Sequence, residues 1–214
     1  MLYNSDCFNI LKGMKDKSVD LIITDIPYGE VNRASRGLRN LNKDAADIVT
    51  FDLKTFVKEC ARVCKGSIYI FCGIGQVSSI RDQLIELKLS TRLCIWEKTN
   101  PSPMNGNKIW LSGIECCVYG KFPKATFNQH CKNPVFHFPS GRNKIHPTQK
   151  PLALISYLIE SSSNEGDVVF DPCMGSGTTG EASIKLNRKF IGCELNPSYF
   201  LAAKERIENA LLRY

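Results

Sequence analysis

Apolar positions recur along this chain in two rhythms. Short, nearly unbroken apolar runs at 19–25, 67–72, 91–97, 114–119, 167–170 and 189–194 read as strands buried on both faces. Between them the spacing turns helical. Residues 52–64 place Leu53, Phe56, Val57, Cys60, Ala61 and Cys64 on one side, and Gly66 reads as the stop. Residues 77–88 form a second helical stretch, Pro151 opens a third through about Ser161, and a fourth runs from about Thr178 to Leu186. Pro197 opens the last, amphipathic one, with Phe200, Ala203, Ile207 and Leu211 on a stripe. Alternating helices and buried strands predict an α/β fold built on a doubly wound, mostly parallel sheet. At 214 residues, without internal repeat or low-complexity linker, one domain spanning 1–214 is expected. Segments 30–50 and 121–145 lack either rhythm and are the candidate excursions from the sheet.

Charge adds to that picture at those same segments. The formal net charge is +7, and residues 31–43 carry Arg33, Arg36, Arg39 and Lys43 with no acid. Residues 121–145 carry Lys121, Lys124, Lys132, Arg142 and Lys144, again without an acid, interleaved with Phe122, Phe127, Phe136 and Phe138. Cations with aromatics suit a phosphate backbone and unstacked bases, although two solvated loops would look the same. The ten cysteines include no C-x-x-C pair, and several lie in apolar runs, so they read as small reduced core residues, with neither metal nor disulfide expected. No apolar run reaches the ~20 residues that span a bilayer, and the first residues lack the pattern of a signal peptide. A cytoplasmic protein is expected.

Two peptides carry the chemistry. Asp171-Pro172-Cys173-Met174-Gly175-Ser176-Gly177-Thr178-Thr179-Gly180 places G-x-G-x-x-G between a predicted strand and helix, and Glu194 ends the next strand. Glycines let a backbone approach a ligand closely, and a carboxylate at the second strand tip can accept both ribose hydroxyls. That pattern fits NAD, FAD or S-adenosylmethionine, or a purely structural tight turn. Asp171 disfavours a dinucleotide, because it would repel a pyrophosphate, whereas it suits the ammonium of a methionine moiety. Asp25-Ile26-Pro27-Tyr28 follows a buried strand. The Asp25 carboxylate and Ile26 carbonyl are two acceptors for the two hydrogens of an exocyclic amine. Pro27 keeps Ile26 extended, and Tyr28 offers a face for a base. A plain turn after a strand is the alternative.

At these residues the chain resembles the amino-group DNA methyltransferases of the permuted class, whose catalytic motif precedes the cofactor loop. The likeness covers nearly the whole chain. Asp25-Ile26-Pro27-Tyr28 is similar to the catalytic Asp-Pro-Pro-Tyr, residues 171–180 to the cofactor loop, and Ile191-Gly192-Cys193-Glu194 to the ribose-binding strand. His146-Pro147-Thr148-Gln149-Lys150-Pro151 matches a signature beside the methionine end of the cofactor, and Trp96–Pro103 another recurrent stretch. Asn4-Ser5-Asp6-Cys7 sits where the family sets an acid against the cofactor's adenine. Ile26 stands in for the usual first proline, and Cys173 for a phenylalanine.

The resemblance implies a Rossmann-like S-adenosylmethionine-dependent methyltransferase that methylates the exocyclic N6 amine of a flipped adenine in double-stranded DNA. Its implied catalytic residues are Asp25, Ile26, Pro27 and Tyr28, and its cofactor contacts Asp6, Cys7, Thr148, Lys150, Asp171, Cys173, Gly175, Ser176, Gly177, Thr178 and Glu194. The candidate DNA contacts are Arg33, Arg36, Arg39, Lys124, Lys132, Arg142 and Lys144. Adenine follows from the Asp-first motif, since a Ser-first motif usually goes with cytosine; cytosine-N4 is the runner-up, and RNA or a protein amide are weaker readings. A silent DNA-binding partner subunit and a dehydrogenase are the rivals from other classes. Pro172-Cys173 also resembles the Pro-Cys of carbon-5 cytosine enzymes, but amine methylation needs no covalent adduct. A bacterial or phage origin is implied, and a homodimer is left open.

Overall fold

The computed structural model describes residues 1–28, 51–103, 106–141 and 149–213. Among these, eight strands form one sheet: β1 (Leu2–Asn4), β2 (Val19–Asp25), β3 (Cys64–Cys72), β4 (Ser90–Lys98), β5 (Ile114–Lys121), β6 (Val135–Phe138), β7 (Val168–Asp171) and β8 (Lys189–Glu194). The helices are α1 (Cys7–Gly13), α2 (Leu53–Val63), α3 (Val77–Glu86), α4 (Leu152–Ser162), α5 (Thr178–Lys185) and α6 (Pro197–Leu211), with a 3-10 turn at Ile74–Gln76. The strand order is β1-β8-β7-β2-β3-β5-β4-β6, and only β5 runs against its neighbours. The expected doubly wound, mostly parallel sheet is present. None of the described helices is long and apolar enough to cross a membrane.

β2 shows why its run Leu21–Ile23 is apolar without a break. Ile22 packs with Phe56, Val57, Cys60, Ile80 and Leu84 of α2 and α3 on one face. Leu21 and Ile23 pack with Leu154, Leu158, Ala182, Ala203 and Ile207 of α4, α5 and α6 on the other. A strand covered on both sides has no polar alternation. Its carboxyl end therefore emerges from a rigid, fully packed slab, which positions Asp25.

Two local expectations are corrected. Gly66 is not a helix stop: α2 ends at Val63, Cys64 is already extended, and Gly66 lies within β3. Glycine is required there by space, since a Cβ would sit 1.9 Å from the Asp20 carbonyl oxygen of β2. Gly66→Ala should cost about 3 kcal/mol, the scale of forced overpacking, measured by thermal or urea unfolding. Leu211 is 58% exposed, and Ala210 holds the buried place on α6. At the turn of an α-helix, Ala210 lies about 20° from Ala203 around the axis and Leu211 about 80°. β1, α1 and β6 were not evident in the sequence, each being short. β6 forms inside the basic segment 121–145, where β4 supplies its partner.

Candidate active site

Asp25 ends β2 beside Phe71 of β3. The chain continues in register for one more residue, because the Ile26 N–H donates to the Phe71 carbonyl at 3.2 Å. A proline at this position has no N–H to give. The Ile26 side chain is buried in the core cluster, so packing and a ladder bond hold this step where the related motif relies on a ring. Gln76 straps the turn from the other side: its Oε1 accepts from Gly73 N at 2.9 Å, and its Nε2 donates to the Pro27 carbonyl at 3.1 Å.

Around Asp25 runs a row of alternating charges. The Tyr28 hydroxyl donates to Asp25 Oδ1 at 2.7 Å, and Lys150 Nζ donates to Asp25 Oδ2. Lys150 Nζ also lies 3.4 Å from the Tyr28 hydroxyl and 3.1 Å from Glu115 Oε2, while Lys98 pairs with Glu115 Oε1 at 2.8 Å. Lys150 is only 6% exposed. Burial alone would lower its ammonium pKa, but Asp25 and Glu115 outweigh it and hold it above the usual lysine value. Burial would likewise raise Glu115; Lys150 and Lys98 prevail and keep it below the usual glutamate value. Burial, then Asp25 and Glu115, push the Tyr28 phenol up, so it stays a donor. Sequence reasoning set Lys150 beside the cofactor; here its ammonium reaches the Asp25 carboxylate. It missed Glu115, Lys98 and Gln76, although a glutamate inside the apolar run 114–119 was a visible signal.

The glycine loop leaves β7 along the same rim. Asp171 Oδ1 accepts from Cys173 N at 3.1 Å and Oδ2 from the Thr179 hydroxyl at 2.7 Å, so this carboxylate is turned into the loop it supports. Gly175 and Gly177 take φ of +51° and +79°, the region that favours glycine. A Cβ on Gly177 would meet Ala203 Cα at 2.9 Å, whereas nothing lies within 4 Å of one on Gly175. Thr178 opens α5, and the Ser176 hydroxyl donates to Gln149 Oε1 at 3.2 Å, tying the loop to the segment that carries Lys150. Glu194 Oε2 accepts from Gly175 N at 2.9 Å and Oε1 from Asn196 N at 2.8 Å. Asn4 pairs with Glu194 across β1 and β8, which brings Asp6, the N-cap of α1, and Cys7 to this end. The loop leaves its face open at Gly175 and sets a half-buried carboxylate at the β8 tip, a cradle that fits a nucleoside carrying an amino-acid tail. A hydrogen bond with Cys7 and burial push the Cys173 thiol well up, opposite to what a nucleophile needs.

Burial raises Asp171 to about 7, against the Thr179 and Cys173 hydrogen bonds that lower it. A carboxyl with a raised folded-state pKa binds its proton more tightly when folded. Its contribution is full below about 4, the unfolded value, and is lost as pH rises through about 7. Asp171→Asn should therefore flatten the fall in melting temperature between those limits, measured on the ligand-free protein.

The candidate DNA contacts are divided. Lys121, at the end of β5, pairs with Ser67, whereas Cys116 and Cys117 at the other end lie beside Cys72 and Phe71. Lys124 therefore follows the end of the sheet opposite Asp25. Asn128 fastens this stretch to the end of α4, donating to the Glu160 and Ser163 carbonyls at 2.9 and 3.0 Å. Lys132 is exposed just before β6, and β6 then leads back to the Asp25 rim, where Phe138 pairs with Lys98. Arg33, Arg36, Arg39, Arg142, Lys144 and Thr148 lie outside the described residues.

The sequence model described as DNA methylase matches residues 107–205. The type II methyltransferase M.HpaI of Haemophilus parainfluenzae is 32% identical, over 96% of this chain and 73% of its own length. M.HinfI of Haemophilus influenzae is 31% identical, over 96% of this chain and 67% of its own length. Among solved structures, the M1.HpyAVI–SAM complex superposes with a TM-score of 0.77 at 32% identity, covering 97% of this chain and 98% of the other. The PvuII DNA methyltransferase (cytosine-N4-specific) reaches a TM-score of 0.76 at 18% identity over 99% and 91% of the two chains, a likeness of fold. With relatives this similar along almost its entire length, the chain belongs to the amino-group DNA methyltransferases, enzymes that use S-adenosylmethionine.

Proposed function

We propose that this methyltransferase acts on the N6 amine of an adenine extruded from duplex DNA, with residues 1–214 working as one domain. The observation that carries the reading is Asp25, a carboxylate first in its motif, presented at the rim by a packed strand and gripped by Tyr28 and Lys150. An aromatic amine is a poor nucleophile because its lone pair is shared with the ring. Acceptors at Asp25 and the Ile26 carbonyl, taking one amine hydrogen each, favour a pyramidal nitrogen whose lone pair is free to attack. S-adenosylmethionine supplies a methyl group already activated by a sulfonium. The chain's work is then alignment and electrostatics. Held by the glycine loop and Glu194, the sulfonium would supply its methyl to the nitrogen lone pair and leave as a thioether, and Asp25 would be an acceptor for the proton that the nitrogen sheds. Because the amine is paired within a duplex, the base must leave the stack.

In this reading Glu194 holds the ribose and Asp6 the adenine of the cofactor. Asp171 acts as the support of the glycine loop, adding its charge near the methionine end. Arg33, Arg36, Arg39, Arg142 and Lys144 take phosphates. Cytosine-N4 is the second reading, since the same two acceptors would serve its amine. Nucleoside analysis of DNA methylated by the enzyme separates them. N6-methyladenine is the expected product; N4-methylcytosine would overturn the choice of base.

A further inference from the structure

The loop between β4 and β5 carries an aromatic side chain that none of the described residues covers. Trp110 is 95% exposed, and Ile109 beside it is 69% exposed. The loop itself is built. Its stem is closed by Lys98 N donating to the Gly113 carbonyl at 2.7 Å, and Gly106 N donates to the Pro103 carbonyl at 3.0 Å. Leu111 folds back against Gly106, where a Cβ would meet its Cδ2 at 2.8 Å. Leu111, 44% exposed, thus leans on the turn, whereas Ile109 and Trp110 stand further out.

The position of the loop gives the exposure a meaning. Its two ends are Lys98 and Ile114, and the row Lys98–Glu115–Lys150–Asp25 runs from that stem to the carboxylate at the reaction centre. Ile74, 72% exposed, stands on the same rim in the turn after β3, next to Gly73, which packs beside Tyr28. The end of the sheet that presents Asp25 is thus the end that carries this loop. Residues 99–113 contain no acid, and Lys108 directly precedes Ile109 and Trp110. A cation next to outward apolar side chains suits a polyanion whose interior is a stack of rings.

We infer that Trp110 inserts into the DNA stack beside the extruded base and fills the gap it leaves. The inference rests on the base-extrusion reading above. An extruded base leaves its neighbours unstacked, and an indole offers the largest ring face with which to replace it. The occupant is duplex DNA and not a second copy of the chain, because the loop borders the substrate's path and carries only positive charge.

The chain has two tryptophans, and Trp96 is 1% exposed, so acrylamide quenching of tryptophan fluorescence reports on Trp110. The probe is a short duplex bearing a sequence that the wild-type enzyme methylates. Adding it should cut quenching severalfold. Trp110→Ala should lower turnover on this duplex about tenfold or more, leaving S-adenosylmethionine affinity and the salt slope of DNA binding unchanged, while Trp110→Phe keeps most activity. Mispairing the target base, which lowers the cost of unstacking, should restore Trp110→Ala. Quenching that is unaltered by DNA, or a Trp110→Ala defect that mispairing leaves in place, would overturn the role. Quenching that falls with protein concentration in the absence of DNA would assign the residue to a contact between copies instead. Failure of the wild-type enzyme to methylate any DNA would strike the reading beneath it.

Discussion

Asp25→Ala is expected to lower methyl transfer by about 10²–10⁴-fold, the range for losing a positioned proton acceptor or preorganised electrostatic group. S-adenosylmethionine binding should persist, because the glycine loop and Glu194 make their contacts on β7 and β8 without Asp25. Asp25→Asn is the sharper variant. It keeps the shape, but with its oxygen turned to the Lys150 ammonium the amide NH₂ replaces the Oδ1 that accepts from Tyr28, and an acceptor for the amine is lost. It should be nearly as inactive as alanine. Labelled-methyl incorporation, with calorimetry of cofactor binding, reads both effects. Near-normal turnover in either variant would remove Asp25 from the reaction.

Lys150→Met should damage stability and activity together. The ammonium sits between the Asp25 and Glu115 carboxylates and is almost wholly buried. Removing it leaves two half-buried carboxylates without their shared cation, with Lys98 the remaining partner of Glu115. A fully buried pair broken in this way costs about 3–5 kcal/mol, and the partial exposure of the two carboxylates lowers that to about 2 kcal/mol. Glu115→Gln in the same chain removes one of the two stranded charges. The double variant should therefore recover much of the melting temperature but little of the turnover, since Asp25 has still lost its cation. Equal recovery of both would mean that Lys150 serves folding alone. An unchanged melting temperature in the single variant would mean that the row of charges is not coupled to stability.

The central strand was legible because it is buried on both faces, which favours a short, nearly continuous apolar and β-branched run. β2 and β8 have the bounds that the sequence indicates. α2 was legible from its one-sided spacing. The short β1 and β6 were not, since three or four residues carry no period and become strands only where a neighbour offers its edge, and the seven residues of α1 make only about two turns of helix. Gly66 shows the same limit: a glycine after a helical run reads as a cap, and only the 1.9 Å approach of another strand reveals its purpose.

What the sequence determined by itself was local chemistry: a carboxylate followed by an extended carbonyl, a glycine loop opening a helix, a carboxylate at the next strand tip, and their order. These are properties of contiguous residues, set by backbone freedom and side-chain type. The tertiary structure alone decided which distant groups share charge. Lys150 stands 125 residues from Asp25, and nothing in the spacing of either announces that the two meet. It also decided that Lys124 leaves by the end of the sheet opposite Asp25, while Trp110, in the stretch between the apolar runs 91–97 and 114–119, lies in a loop at the Asp25 end. Strand order and direction govern which end of the sheet each loop leaves by, and register governs which face each side chain takes. Register is settled by packing across the whole sheet, where a shift of one residue turns every side chain to the other face.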